Sequence, residues 1–256
     1  MTKSLFPITI GLFLLLAVIK VQAEESVKLF IEPDQVKIGL FYSGQKTYCR
    51  AEAPAGYDIV IKISGKNQDL KLKKKGKRGG ILWMNVGELS YKAVPSLLLI
   101  KSSRPLINVS SKKVLEQLGI GYEALGDKVI SGQDDDARSL FGELIKLKQK
   151  EGLFSVDENG IEVRPLGSGT QKVSATFFLP PKAPQGEYEV ELFGFKDGEN
   201  LLKGTGSVKL GFTRTAAFIS MMAKDHGLLY GCLAVIIAIT AGLITGFVFG
   251  GKGGSH

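Results

Sequence analysis

Residues 228–249 read LLYGCLAVIIAITAGLITGFVF, 22 residues without a charge, a proline or a side-chain amide. At 1.5 Å per residue a helix of that length spans about 33 Å, close to the ~30 Å hydrocarbon layer of a bilayer. A core helix of a soluble protein seldom stays apolar on every face for so long, so the stretch predicts a transmembrane helix. Everything upstream is then either a targeting signal or a body held at a membrane surface. Within the helix, Ala234, Ala238, Gly242, Gly246 and Gly250 recur every four residues, and Gly242 with Gly246 forms a GxxxG element. Small residues in that register let a second helix backbone approach closely. They mark a candidate helix-packing face (Ala234, Ala238, Gly242, Gly246) for a second copy or another membrane protein. The competing explanation is that glycine and alanine are simply common in membrane helices.

A second apolar run, Leu5 to Ile19, follows Lys3 and precedes Val21-Gln22-Ala23. A basic start, an apolar centre and small residues at −3 and −1 describe a secretory signal peptide cleaved after Ala23; the alternative is an uncleaved signal anchor, which would make a two-pass protein with both ends inside. The expected organisation is a signal peptide over 1–23, an extracytoplasmic body over 24–213, a juxtamembrane connector over 214–227, the span over 228–249 and a cytoplasmic tail over 250–256. This places the protein in a bacterial inner membrane, crossing once, with its body in the periplasm. Lys252 against Lys224 gives the positive-inside rule almost no vote, so the orientation rests on the signal peptide.

The whole chain carries +8; losing Lys3 and Lys20 with the signal leaves +6. That balance suits a body lying near anionic lipid or an anionic partner. Only Cys49 lies in the exported part, since Cys232 falls inside the span, so the two cannot form a disulfide and stability must come from an ordinary core.

From Ser26 to Ile100 the pattern is one of short strands with period-two alternation: Val27, Leu29 and Ile31, then Val36, Ile38 and Leu40, then Tyr57 to Ile63. Ser43-Gly44, Pro54-Ala55-Gly56, Ser64-Gly65 and Gly79-Gly80 punctuate them. Between about 110 and 154 the period changes to 3.6. Lys112 to Leu118 predicts a short helix ended by Gly119. Asp136 to Lys150 predicts a longer one with an apolar stripe of Leu140, Phe141, Leu144, Ile145 and Leu147. Asp134-Asp135-Asp136 lacks calcium-loop spacing and reads as helix capping. Strand character resumes with Lys172 to Phe178, Glu187 to Phe195 and, after Asp197-Gly198, Ser207 to Phe212. Pro184-Gln-Gly186-Glu-Tyr188 has the form of a sandwich corner in which a tyrosine bonds back to backbone. The fold expected is mainly β: an immunoglobulin-like antiparallel β-sandwich with a helical insertion, plus one C-terminal transmembrane α-helix. A split into two domains near 110–154 is the rival arrangement.

Lys71, Lys73, Lys74, Lys75, Lys77 and Arg78 make a candidate site for an anion or an acidic partner. The plainer reading is a solvated hairpin whose lysines keep an edge soluble. Trp83 could stack on a ligand but fits a core position better. Nucleic acid is not an expected partner, because the aromatic interleaving of single-strand binders is missing; membrane lipid is. No histidine precedes His226 in the exported body, which removes Ser-His-Asp and Cys-His nucleophile arrangements and the usual His/Cys metal sites. No phosphate-cradling or dinucleotide motif occurs. A hydrolase built on two carboxylates that converge in space stays open, but nothing in the sequence marks such a pair, so no catalytic residue, cofactor or metal is expected and the protein reads as not an enzyme.

The run Lys73-Lys-Lys75-Gly-Lys77-Arg78-Gly-Gly80-Ile-Leu-Trp83-Met-Asn85 resembles the basic stretch followed by G-I-W-x-N of the alphaproteobacterial putative transmembrane protein family. Val94-Pro95-Ser96, Ser103-Arg104-Pro105-Leu106, Pro184-x-Gly186-x-Tyr188, Asp197-Gly198, Leu210-Gly211-Phe212 and Leu229-Tyr230-Gly231 are similar to its further segments. The chain departs from the family pattern in having Ser64-Gly65-Lys66 for G-P and lysines for R-R-K. Lysine lacks the bidentate fork of arginine. The resemblance implies a signal peptide, an extracytoplasmic domain and one C-terminal span, with no established activity. It also implies an accessory role beside an exporter of the sulfite/sulfonate (TauE/SafE) type. The leading expectation is a non-enzymatic periplasmic accessory protein that packs through its helix on a membrane partner. The alternative is a tethered binding protein for an anionic ligand, lipid headgroup or envelope glycan.

Overall fold

The computed structural model describes residues 25–78, 82–129 and 138–250. The signal peptide, Gly79-Gly80, the Asp134–Asp136 cap and the tail after Gly250 lie outside these residues. The chain is mainly β, with a few helices and one long apolar C-terminal helix.

Short strands β1 (Glu25–Ser26), β2 (Leu29–Glu32) and β3 (Gln35–Ile38) lead into β4 (Gln45–Pro54) and β5 (Asp58–Ser64). A hairpin of β6 (Asn67–Arg78) and β7 (Leu82–Pro95) follows, then β8 (Leu98–Ser102). Helices α1 (Leu106–Val109), α2 (Lys112–Gln117), α3 (Glu123–Val129) and α4 (Phe141–Lys150) separate β8 from β9 (Phe154–Glu158). β10 (Ile161–Gly167), β11 (Thr170–Leu179), β12 (Gly186–Lys196) and β13 (Glu199–Phe212) complete the body, and α5 (Arg214–Asp225) joins it to α6 (Gly227–Gly250).

Two larger sheets result. One runs β10-β11-β4-β2, all antiparallel. The other runs β13-β12-β5-β8-β9, with β1 and β3 both on the far edge of β13. This second sheet is mixed rather than antiparallel: β1 and β3 run parallel to β13, and β9 runs parallel to β8. A parallel neighbour needs a long crossover, and α1 to α4 form the one between β8 and β9.

Burial follows from this layering. In β4 and β11 every second residue is buried (Thr47, Cys49, Ala51, Ala53; Gln171, Val173, Ala175, Phe177, Leu179), so that sheet has one wet face. In β5, Ile59 to Ile63 are buried without alternation. One face meets the other sheet and the opposite face lies under the helices, so both are dry. Residues of both sheets and of the helices, among them Leu115, Leu144 and Ile145, share one buried cluster.

Several local expectations hold. α2 is closed by Gly119 at φ +67°, and Asp197 (φ +53°) with Gly198 (φ +83°) turns β12 into β13. The Tyr188 hydroxyl donates to the Pro184 carbonyl, forming the corner. Others need correction. β6 and β7 are 12 and 14 residues long, not short, and among the described residues they pair with each other alone. Leu40 is not in a strand; it sits in a turn. In α4, Leu147 is exposed and Lys148 is buried, so the helix is rotated relative to the predicted stripe.

Candidate functional site

Side chains alternate across β6. Lys71, Lys73, Lys75 and Lys77 are exposed on one face, and Leu70, Leu72, Lys74 and Gly76 are half-buried on the other. The hairpin is rooted by Leu89, Tyr91 and Val94 of β7, which enter the core, whereas Met84 to Glu88 are exposed. It therefore projects as a two-stranded ribbon, its 12-residue strand about 40 Å long. A bulge at Lys74/Lys75 against Gly87/Asn85 increases the twist partway along it. A Cβ at Gly76 would meet Val86 Cγ2 at 2.8 Å, so a side chain there needs the exposed Val86 to shift.

The ribbon gathers five of the six predicted basic side chains over one short length. Arg78 is paired through its backbone with Leu82, and Trp83 lies opposite Lys77; the side chains of both lie outside the described residues. Glu88 on β7 lies 3.9 Å from Lys71, and both are well exposed, so screening leaves the pair weak. Where the ribbon meets α4 there is a cleft of about 390 Å³, floored by Leu72, Leu89, Tyr91 and Leu144 and rimmed by Lys73, Lys74, Lys75 and Glu143, whose carboxylate is paired with Lys146. An apolar floor beside ammonium groups accommodates an amphiphile with an anionic head.

The other predicted surface lies on α6. Gly227–Phe247 is long and apolar enough to cross a membrane, and none of it is covered by the body. Nothing lies within 4 Å of a Cβ built at Gly242 or Gly246, so that face is open. The Thr240 and Thr245 hydroxyls donate to Ile236 and Ala241 carbonyls one turn back. Their bonds are met within the helix, and any association through this face is a matter of packing.

One buried polar group gave no signal in the sequence. Lys62, in the middle of β5, is buried beneath the helices, where its Nζ lies 2.6 Å from Glu191 Oε2 and donates to the Leu118 carbonyl at 2.9 Å. The Phe193 ring is 5.3 Å away, and Lys203 reaches Glu191 Oε1 at 3.8 Å. This joins the C-terminal end of α2 to the sheet. Its charge is paired within the body, and it reads as structural.

Among the described residues no group of three His, Cys, Asp or Glu side chains could hold a metal ion. Burial pushes the Cys49 thiol up to about 12, which leaves no reactive thiolate at neutral pH. Burial also raises the Asp58 carboxyl, an effect opposed by its ion pair with Arg104.

A family model described as "Putative transmembrane protein (Alph_Pro_TM)" matches residues 26–250. No curated protein matches the chain.

Proposed function

Because the chain belongs to the putative transmembrane protein family, we propose that it is a membrane-anchored, non-enzymatic interaction protein whose projecting ribbon engages an anionic partner. The observation that carries this reading is the ribbon itself: a rooted, two-stranded arm with Lys71, Lys73, Lys75 and Lys77 on one exposed face. A hairpin that only kept an edge soluble would not need to project beyond the body it protects. The apolar cleft at its base favours a lipid-like anion, a headgroup with part of its chain, over a free glycan. The body is immunoglobulin-like, a reading supported by the sheet order β10-β11-β4-β2 facing β3-β13-β12-β5-β8 and by the Tyr188 corner. It stands on the periplasmic side of an inner membrane, with the signal-like N-terminus as the support for that orientation.

The test uses the full chain in neutral-lipid nanodiscs, titrated with vesicles containing phosphatidylglycerol. Each lysine near an anionic surface contributes about 1 kcal/mol, so replacing Lys73, Lys74 and Lys75 with Glu should weaken binding at least ~100-fold, and salt should weaken the wild type. Unchanged binding by the triple variant would defeat the reading.

The bare helix face favours a second contact. Ala234, Ala238, Gly242 and Gly246 pack on a helix of another membrane protein, an exporter of the sulfite/sulfonate type being the partner that the family resemblance implies. Gly242→Leu/Gly246→Leu should abolish copurification of that partner from mild detergent, while the body's unfolding temperature stays the same. Retention of the partner by the double variant would refute it.

A further inference from the structure

The turn after β3 has unusual chemistry for a turn in water. Tyr42 N–H donates to the Gly39 carbonyl at 3.3 Å, leaving Leu40 and Phe41 at the tip, 60% and 96% exposed. Turn tips normally take Gly, Asn, Asp, Ser or Pro, which supply the needed backbone angles or local hydrogen bonds. Behind the tip the Tyr42 hydroxyl donates to the Leu179 carbonyl, which holds the turn out from the body.

The position of this tip follows from strand direction. β3 runs parallel to β13, with Ile38 opposite Phe212, and Thr213 N–H donates to the Ile38 carbonyl at 2.9 Å. Parallel neighbours leave a sheet at the same end. β3 leaves into the Leu40-Phe41 turn; β13 leaves into α5 and then α6. The tip therefore lies at the end of the body from which the chain enters the bilayer. Exposed Phe178 and Lys46, opposite one another on β11 and β4, lie at this end too, with exposed Lys37 and Arg214.

α5 matches this surface. Phe218, Ile219 and Met222 fall on one helical face, with Ser220 and Lys224 opposite. Phe218 is 56% exposed, so the body does not cover that face. Upright, α5 would hold the tip about 18 Å further from the bilayer. Lying flat, it would bring its own apolar face and the tip into one plane, which takes a bend at His226-Gly227, where α5 gives way to α6.

We propose that this end of the body docks on the lipid surface that α6 crosses. α5 lies in the headgroup layer, Leu40 and Phe41 insert beneath it, and Lys37, Lys46 and Arg214 meet lipid phosphates. This is independent of the ribbon, which contributes no residue to it.

The full chain carrying Cys232→Ala takes a single environment-sensitive label at Phe41→Cys, Phe218→Cys or Ser168→Cys; buried Cys49 is left in place. Ser168 turns β10 into β11 at the opposite end. In phosphatidylcholine nanodiscs holding doxyl-labelled lipid, labels at 41 and 218 should be blue-shifted and quenched at least about threefold more than the label at 168. Adding phosphatidylglycerol should raise the quenching at 41 further. A label at 41 as wet and unquenched as that at 168 would overturn the proposal, because it is the result expected of an upright α5. In a second variant, Leu40→Ser/Phe41→Ser should leave the body's unfolding temperature unchanged while reducing quenching at 218. A lowered unfolding temperature would mean that the tip packs on the body, and would overturn it equally.

Discussion

Replacing Lys62 with Met should destabilise the body far more than replacing both Lys62 and Glu191 with apolar residues. Both side chains are nearly dry, 11% and 13% exposed, and their closest atoms are 2.6 Å apart. Lys62→Met leaves the Glu191 carboxylate buried with Lys203, at 3.8 Å and 41% exposed, as its remaining counter-charge, and leaves the Leu118 carbonyl without its donor. Breaking a buried pair costs about 3–5 kcal/mol. Lys203 moderates this, so the low end, about 3 kcal/mol, is expected. For a domain of this size that lowers the unfolding temperature by about 6–12 °C. In Lys62→Met/Glu191→Leu no charge is stranded, and the cost should fall to within about 1.5 kcal/mol of wild type, because apolar replacement of a buried pair is often neutral. Thermal unfolding of the full chain in mild detergent, followed by circular dichroism in the β region, reads both values. Should the single variant cost less than about 1 kcal/mol, or no more than the double variant costs, water must reach Glu191 and the dry-pair argument fails.

Three further outcomes follow from the body. Tyr188→Phe removes the hydroxyl bond to Pro184 and should cost about 1 kcal/mol, read in the same melt. Burial, with a smaller contribution from Tyr42, raises the Tyr188 hydroxyl to about 12 from 10.0. The stability linked to that shift is fully present below about pH 10 and is lost as pH rises towards 12, so the wild type should weaken over this range more than Tyr188→Phe; equal loss in both would count against it. Gly204→Val should cost about 1–3 kcal/mol or more, since a Cβ there meets the Val27 backbone oxygen at 2.7 Å and backbone cannot swing aside; an unchanged melt would show that the edge strand yields. Cys49, fully buried and with its thiol raised to about 12, should react with a maleimide only on unfolding, whereas labelling of the folded Cys232→Ala chain at neutral pH would contradict its burial.

Much of the body was legible because its signals are local. Asp197-Gly198 demands positive φ in any context, and Gly119 ends α2 for the same reason. β4 and β11 have one wet face, and their residues alternate accordingly. Where both faces are dry the alternation disappears, so the buried run in β5 could not reveal that Lys62 turns inward under the helices. The same limit explains α4: an apolar stripe marks a helix, but its rotation is set by what it packs against, here exposing Leu147 and burying Lys148. The basic run was visible as composition; its projection was not, because it depends on β6 and β7 pairing with each other alone.

Sequence alone determined the membrane-crossing segment, since an apolar stretch long enough to span lipid is a property of consecutive residues and needs no partner. It likewise determined the glycine-marked turns such as Asp197-Gly198, and the lysine-rich segment, which depend on neighbours a few residues away. Only the tertiary structure decided that β3 runs parallel to β13 and so carries the Leu40-Phe41 tip to the end from which the chain continues into α5 and α6. It alone placed Glu191 beside Lys62, 129 positions apart in the chain. Both depend on which distant strands become neighbours, and that choice is made by burying one shared core rather than by any local preference.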